Sequence, residues 1–497
     1  MAEEDPTNPV RLRRAPQSLL PLAAAIIGCG GGQSPTQPAQ PAAVTKLVFT
    51  VQPTNGAGAQ PIAPAVQVAI QDASGNAVTT ASDSVTLALA ANPGAGALSG
   101  ALTVAATQGV ATFTNLRVDR PGSGYTLAAS AAGRTGATSA PFNVKLTFTA
   151  VSAGFAHTCG LTIGGHVYCW GYRGRVGSGT ASDQPSPVLV ATPPSVTFVA
   201  VSAGLYHACA VTTAGAAYCW GDNGDGQLGD GTTIDRSTPV LVTGGVSFAA
   251  VSAGNTHTCA VTAAGAAYCW GGNQYGELGD GTTTGRLLPV PVAAPTGVSF
   301  TAVSAGGQTC ALTAAGAAYC WGYNVDGGLG DGTTTNRSSP VPVAGGVTLT
   351  KVNAGSGHAC GVDAAGAGYC WGRNDYGQVG DGTTTTRVTP TALGGTVTFV
   401  SVSPGNDHTC AVTASGASYC WGFNLFGQLG DGTTTDESSR VAVAAPAGVS
   451  LAAVTAGNEH SCGVTAAGAA YCWGLNHLGQ LGDGTMTQSL TPVRVVQ

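Results

Sequence analysis

The chain has 497 residues, enough for about three average domains, yet it carries 76 glycines and only 8% charged residues. Ordinary domains hold about 7% glycine and about 25% charged residues, so something repetitive dominates this one. A formal charge of −6 and only three lysines, Lys46, Lys145 and Lys351, remove the basic footprint that a phosphate backbone requires, so no nucleic-acid partner is expected; hydrophobic residues at 43% can bury a core, which disfavours disorder.

At the amino terminus, Arg11, Arg13 and Arg14 precede an apolar run from Leu19 to Ile27, broken by Pro21. The run is too short to span a bilayer and suits a signal h-region. Ile26-Ile27-Gly28-Cys29 resembles a bacterial lipobox, in which the cysteine is lipidated and becomes the mature terminus. Residues 1–29 are therefore expected to be a signal peptide with Cys29 as the lipid anchor to a membrane, and residues 30–43 a flexible linker. The acidic opening MAEEDPTNPV departs from an n-region and leaves the start site open; an ordinary signal, or a tail with a stray cysteine, is the alternative.

From Val44 to Lys145 short alternating runs recur (KLVFTV, VQVAIQD, VTLALA, VATFTNLRV, YTLAAS, FNV), each bounded by Gly, Pro, Asn or Ser. Strands at this spacing predict a β-sandwich. The D-x-x-G-N turn followed by VTLAL, GVATF and GYTLAAS resembles bacterial immunoglobulin-like domains, which implies a spacer or an adhesive module over 44–145.

Residues 146–497 repeat. Trp170, Trp220, Trp270, Trp321, Trp371, Trp421 and Trp473 recur at intervals of 50, 50, 51, 50, 50 and 52, a period that points to a propeller or solenoid whose units cannot bury their own faces alone. Fourteen of the fifteen cysteines pair at ten positions: Cys159 with Cys169, Cys209 with Cys219, Cys259 with Cys269, Cys310 with Cys320, Cys360 with Cys370, Cys410 with Cys420 and Cys462 with Cys472. Within a unit, TCAVT and AAYCW read as strands of a hairpin. If Cys209 faces Cys219, then Val211 faces Ala217, and Thr213-Ala214-Gly215 is a three-residue loop whose third position needs a left-handed backbone, which glycine supplies. Facing cysteines are within disulfide range, so seven intra-hairpin disulfides are expected, and with them an oxidising, extracytoplasmic compartment. Zinc is the rival use, but CxxC spacing is absent.

Two further strands, PVxV and FxAVSAG, complete a four-stranded unit. The segment WGxNxxGQLGDGTTTxRxxP is long enough to cross a sheet, which places PVxV first and AAYCWG last. On that order the first unit lacks its first strand, and the carboxy-terminal TPVRVV would supply it and close a ring.

The series AGxxHTC, YCWGxN and GQLGDGT closely resembles the repeats of the regulator of chromosome condensation family, whose fold is a seven-bladed β-propeller. Unit 1 departs with Gly177-Ser178-Gly179 for the Gly-Asp-Gly run, and unit 4 is one residue shorter, with Gly307-Gln308 where others have histidine. The resemblance implies an all-β chain, a seven-bladed β-propeller preceded by a β-sandwich. The family's founder exchanges guanine nucleotide on a small nuclear GTPase and binds chromatin; a lipobox and paired cysteines argue against that role. A secreted bacterial inhibitor of β-lactamases shares the propeller and implies a protein-binding platform, although fold alone does not transfer function.

His157, His207, His257, His358, His408 and His460 share one repeat position, but neighbouring blades pack too far apart for these rings to converge on one metal, so they read as core or loop residues. The aspartates of the GDG runs read as turn residues rather than calcium ligands. No nucleotide-binding, metalloprotease or serine-hydrolase motif occurs; no catalytic residue, metal or cofactor is expected. What varies between repeats is the end that carries the AGxxH and WGxNxxG loops, so Tyr206, Tyr275, Asp326, Tyr376, Phe426 and His477 are the candidate ligand face. The expected function is an exported, surface-anchored monomer that binds a protein or glycan at the cell envelope. A structural envelope component without a specific ligand is the alternative, and an enzyme of unrecognised chemistry a third reading.

Overall fold

The computed structural model describes residues 44–193 and 195–496. The expected signal peptide (1–29), its Cys29 and the linker (30–43) lie outside these residues.

The expected strands of 44–145 form. Val44–Val51, Val66–Asp72 and Val110–Phe113 make one antiparallel sheet. Gly122–Ser130 and Ser84–Ala91 are the centre of a second, whose far edge adds Gly56–Ala57 parallel to Phe142–Lys145. The alternation read from the sequence points one side of each strand inward: Val66, Val68 and Ile70 of the first sheet meet Val85, Leu87 and Leu127 of the second in a single apolar cluster. The run VATFTNLRV breaks at Thr114–Leu116, where the chain leaves the first sheet for a short pair between Arg117–Val118 and Leu98–Ser99.

From residue 148 onward the chain builds seven four-stranded antiparallel sheets, over 148–189, 198–241, 250–291, 302–342, 349–392, 401–442 and 451–494. In the second sheet the strands are Phe198–Ala203, His207–Thr212, Ala217–Gly221 and Arg236–Leu241, adjacent in chain order. The hairpin register is as derived: Cys209 faces Cys219, Val211 faces Ala217, and Gly215 closes the loop at φ +81°. Thr212 N–H donates to the Ala216 carbonyl. Three places back from that hydrogen-bonded pair, Cys209 and Cys219 fall on a pair without ladder hydrogen bonds, the closer kind, and their Cα atoms lie 4.1 Å apart. The same register puts Cys310 opposite Cys320, Cys360 opposite Cys370 and Cys410 opposite Cys420. All seven cysteine pairs stand at bonding distance, S–S 2.08–2.12 Å.

The expected strand order is shifted by one place. The PVxV strand is fourth, not first: it pairs with the YCWG strand before it, Val240 against Cys219 and Arg236 against Gly221 across a bulge. Cys320, Cys370 and Cys420 show the same correction, facing Val341, Thr391 and Val441 of the strand that follows each of them. The long intervening segment does not cross the sheet, because its length is taken up by a knot of hydrogen bonds on itself and by contact with the next sheet. Each sheet is thus one contiguous stretch. The last strand, Ser489–Arg494, pairs with Ala470–Gly474 of its own sheet rather than completing the first.

The cores lie between sheets, as units unable to bury their own faces require. Trp220 of the second sheet shares a buried cluster with Cys159 and Cys169 of the first, and Trp270 of the third with Cys209 and Cys219 of the second. Trp321 follows with Cys259 and Cys269, Trp371 with Cys310 and Cys320, Trp421 with Cys360 and Cys370, and Trp473 with Cys410 and Cys420. Trp170 of the first sheet then meets Cys462 and Cys472 of the seventh. The series closes on itself. The AVSAG strands line its narrow axial opening, where a Cβ on Gly204 would strike the Gly254 carbonyl that accepts the Leu205 N–H.

Candidate binding face

The side chains that recur in every unit hold the sheets together. Thr258 Oγ1 donates to the Gln227 carbonyl at 2.7 Å, and Trp270 Nε1 donates to the same oxygen at 3.0 Å. The hydroxyl proton of Thr258 being committed, its oxygen accepts from His207 Nε2–H at 2.7 Å, which places the His207 proton on Nε2. The same clasp joins His257 to Thr309, His358 to Thr409, His408 to Ser461 and His460 to Thr158. Burial holds these histidines neutral, pushing His207, His358, His408 and His460 down to about 3 and His257 to about 4. His157 is also held well below its ordinary value by burial, but its clasp position in the next sheet is Ala208, and neither ring nitrogen has a partner. Where the fifth sheet has Ala359 instead of threonine, the fourth has Gln308, which donates to the His358 carbonyl at 3.0 Å.

The expected disulfide residues belong with this scaffold rather than with a ligand site. The hairpin cysteines, Cys310 and Cys320, Cys360 and Cys370, and Cys410 and Cys420 among them, are wholly buried between sheets under the tryptophans.

The GDG aspartates close the long loops. Asp230 Oδ1 accepts from Thr232 N–H and Oγ1–H, and its Oδ2 takes Arg236 Nη2 at 2.8 Å. Asn223 fills the loop centre, accepting from Leu228 N–H and donating to the carbonyls of Thr232 and Ile234. Burial alone would raise Asp230, but the hydrogen bonds of Thr232 and Arg236 outweigh it and lower its pKa. These carboxylates serve the loop. Among the described residues no cluster of three His, Cys, Asp or Glu is placed to hold a metal.

With the repeated residues so committed, chemistry is left to the positions that differ, and the antiparallel strands bring the AGxxH and WGxNxxG loops to one end. There a cavity of about 450 Å³ opens over the second to sixth sheets. Its walls include Tyr275 and Tyr323, packed edge to face at 5.2 Å, with Asp326 Oδ2 accepting from the Tyr323 hydroxyl at 3.1 Å. Asp225, Glu277, Arg373 and His257 complete its charged and titratable lining. Arg373 already holds Asp375 at 2.7 Å and Asp407 at 2.9 Å.

The family follows from comparison with known proteins. The RCC1-like domain model matches residues 80–359, more than half of the chain, starting ahead of the first four-stranded sheet. Models of the regulator of chromosome condensation (RCC1) repeat match 366–412, 415–464 and 467–497, and a second repeat model matches 349–378, 399–428 and 452–480. The chain belongs to the RCC1 repeat family. Its repeated four-stranded sheets have the RCC1-like propeller fold. Human WBSCR16 is similar at 20% identity and TM-score 0.58, over 68% of this chain and 92% of that one. Yeast RCC1 (Prp20) bound to Kap60 is similar at 19% identity and TM-score 0.60, over 71% and 85%. Prp20p from Saccharomyces cerevisiae, studied with its binding to Gsp1p and histones, gives 19% and 0.59, over 71% and 88%. No curated protein matches the chain.

On the RCC1 repeats the expected ligand-face residues fall into groups. Tyr275 and Asp326 line the cavity. Tyr376 packs against Phe423 at 4.8 Å, and Phe426 against the same ring at 6.3 Å, making a second aromatic group. Tyr206 belongs to a third, 5.6 Å from Phe155 and 4.6 Å from the Arg175 guanidinium. His477 stands apart and exposed, beside Glu459. Sequence reasoning missed Tyr323, Phe423 and Arg373, which occupy the x of WGxN; that position also changes from unit to unit and could have been read. It missed Glu277 as well, the one unit in which GQLGDGT becomes GELGDGT.

Proposed function

We propose that this chain is an exported binding scaffold that engages a protein partner through the loop end of its sheets. In this reading the seven sheets are the blades of a closed seven-bladed β-propeller over 146–497, displayed from the cell envelope by a lipid on Cys29, the linker 30–43 and an immunoglobulin-like domain over 44–145. The observation that carries it is the division of labour on the face: the recurring His, Thr, Trp, Asn and Asp side chains are engaged in holding sheets and loops, while the differing ones gather into a cavity and aromatic groups at one end. A ring does not need such diversity to fold, whereas an asymmetric partner uses it, with aromatics as anchors. Protein is favoured as the partner class because the similar yeast protein is described with the proteins Kap60, Gsp1p and histones.

Two features support the remaining parts. Seven cysteine pairs at bonding distance suit an oxidising compartment. In the 44–145 segment the Tyr125 hydroxyl donates to the Arg120 carbonyl at 3.0 Å, five residues upstream, a corner arrangement found in immunoglobulin-like sandwiches.

The test is capture from extracytoplasmic fractions with the full chain as bait, followed by Tyr275→Ala, Tyr376→Ala and Phe426→Ala together. Affinity for the captured protein should fall at least roughly tenfold, about 1.4 kcal/mol, with the melting profile retained. Loss of binding on changing hairpin-end residues such as Thr213 or Ala263 instead would put the partner on the opposite end, and capture of a glycan would change the partner class.

A further inference from the structure

Two departures from the repeat coincide at the cavity, and a third lies in the loop that carries Asp326. The turn of the fourth sheet is one residue short: Gly307 donates its N–H to the Gly355 carbonyl as Leu205 and Asn255 donate theirs to Gly254 and Gly306, and the position that follows, Tyr206 or Thr256 in other sheets, is missing, which leaves a notch in the face. At the loop position held by Gln227, Gln378, Gln428 and Gln480, the third sheet has Glu277. At the same position the fourth sheet has Gly328.

Glu277 lines the cavity at 6% exposure; the side chains of Asp230, Asp280, Asp331 and Asp381 are as deeply buried, but each is paired with an arginine. One of the Glu277 oxygens accepts the Tyr275 N–H at 2.8 Å, and no cationic side chain pairs with it among the described residues. His257 lines the cavity beside it at 1% exposure. Thr309 donates its hydroxyl proton to the Glu277 carbonyl, so it accepts from His257 Nε2–H. The remaining ring nitrogen, Nδ1, is therefore a lone pair, and no described donor reaches it. Asp225 and Asp326 add two carboxylates at the rim. The sole cation of the lining, Arg373, is already shared between Asp375 and Asp407. The site thus offers carboxyl groups outside any salt bridge, a free imidazole acceptor and the ring walls of Tyr275 and Tyr323. Acceptors and π-faces of this kind are matched by a positively charged donor.

We propose that the notch at the fourth sheet takes the cationic end of a lysine or arginine side chain presented by a protein partner. This rests on the loop-face reading above and names the chemistry at its centre. An alkyl stem between the tyrosines would bring an ammonium or guanidinium to Glu277 and give His257 Nδ1 its missing donor. Burial raises the pKa of Glu277, aided by Asp225, so an entering cation would also draw that carboxyl into its charged form.

The full chain should be titrated with capped Gly-Lys-Gly and Gly-Arg-Gly peptides and with neutral isosteres carrying norleucine and citrulline, following the Tyr275 and Tyr323 ring signals by NMR. The cationic peptides should bind at least roughly tenfold more tightly than the isosteres, and added salt should weaken them. Glu277→Gln should cost at least about fivefold; because glutamine occupies this position in four other sheets, the variant is expected to fold, and its melting profile checks that. Equal binding of cationic and neutral peptides, unchanged affinity in the Glu277→Gln chain, or no binding up to about 20 mM overturns the assignment. If that happens while the captured partner is still lost on changing Tyr376 and Phe426, the loop-face reading stands and only the basic side chain is wrong.

Discussion

Thr258 of the third sheet accepts the Nε2–H of His207 from the second at 2.7 Å while donating its own proton to the Gln227 carbonyl in the loop between them. One hydroxyl thereby ties three elements together in a fully buried place, where an unmade hydrogen bond is costly. Thr258→Ala strands the His207 N–H and removes one donor from the carbonyl. A loss of about 1–3 kcal/mol in unfolding free energy is expected, measured by chemical denaturation, whereas Thr258→Ser, the residue used at Ser461, should keep most of the stability. Equal losses for the two variants would mean that the methyl packing, not the hydroxyl, matters.

The first junction lacks this clasp. His157 meets Ala208, and both of its ring nitrogens are buried without partners. Ala208→Thr should supply the missing acceptor, with the Arg175 carbonyl, which already takes Trp220 Nε1 at 3.0 Å, receiving the new hydroxyl as Gln227 does in the next junction. A gain of about 0.5–1.5 kcal/mol is expected, read as a raised denaturation midpoint. A lowered midpoint would show that the first junction is packed too tightly for the added atoms.

The hairpin register was legible because the cysteine spacing and a glycine at the third loop position admit one pairing. The strand order was not. A loop long enough to cross a sheet is equally long enough to fold on itself, and only the positions of Asn223, Asp230, Thr232 and Arg236 relative to one another separate the two. The candidate face was legible in part. Tyr275 and Asp326 were found because they vary among repeats, but the cavity depends on an absent residue beside Gly307 and on the burial of Glu277, and a list of side chains records neither.

The clasp also sets a pH dependence. The ring histidines are held neutral in the folded chain, four of them down to about 3 and His257 to about 4, with an ordinary value of 6.5. A lowered folded pKa means the unfolded chain binds more protons between these limits. Stability is therefore fully present above about pH 6.5 and falls as pH drops toward 4, each histidine adding up to about 1.4 kcal/mol per pH unit. Denaturation midpoints at pH 7, 6 and 5 should decline steadily, with uptake of protons on unfolding at pH 5. A flat profile over that range would mean that the rings accept protons in the folded state.

Each cysteine pair closes a ten-residue separation inside one hairpin, and peptide mapping without reduction should recover only these seven links, Cys310 to Cys320, Cys360 to Cys370 and Cys410 to Cys420 among them. Replacing Cys259 and Cys269 with serine should cost at most about 3 kcal/mol by loop entropy and leave the other sheets cooperative. Links between different repeats would contradict the hairpin geometry.

The carboxy-terminal strand distinguishes the two ways of closing the ring. Because Ser489–Arg494 pairs with the seventh sheet's own YCWG strand, removing residues 491–497 strips that sheet of its outer edge and takes Val495, 1% exposed, from the cluster between the seventh and first sheets. A fully buried valine is worth about 1.5–3 kcal/mol, so stability should fall. The junction itself should hold, since Thr158 still meets His460 at 2.8 Å and the Gln480 carbonyl at 3.0 Å, and Asn458 N–H still donates to the Gly154 carbonyl. Hydrogen exchange separates the alternatives: the amide of Cys472, which faces Val493, should exchange faster in the truncated chain, while those of Phe148–Ala153 in the first sheet keep their protection. Loss of protection in Phe148–Ala153 with Cys472 unchanged would restore the shared-strand closure that the strand order here rejects.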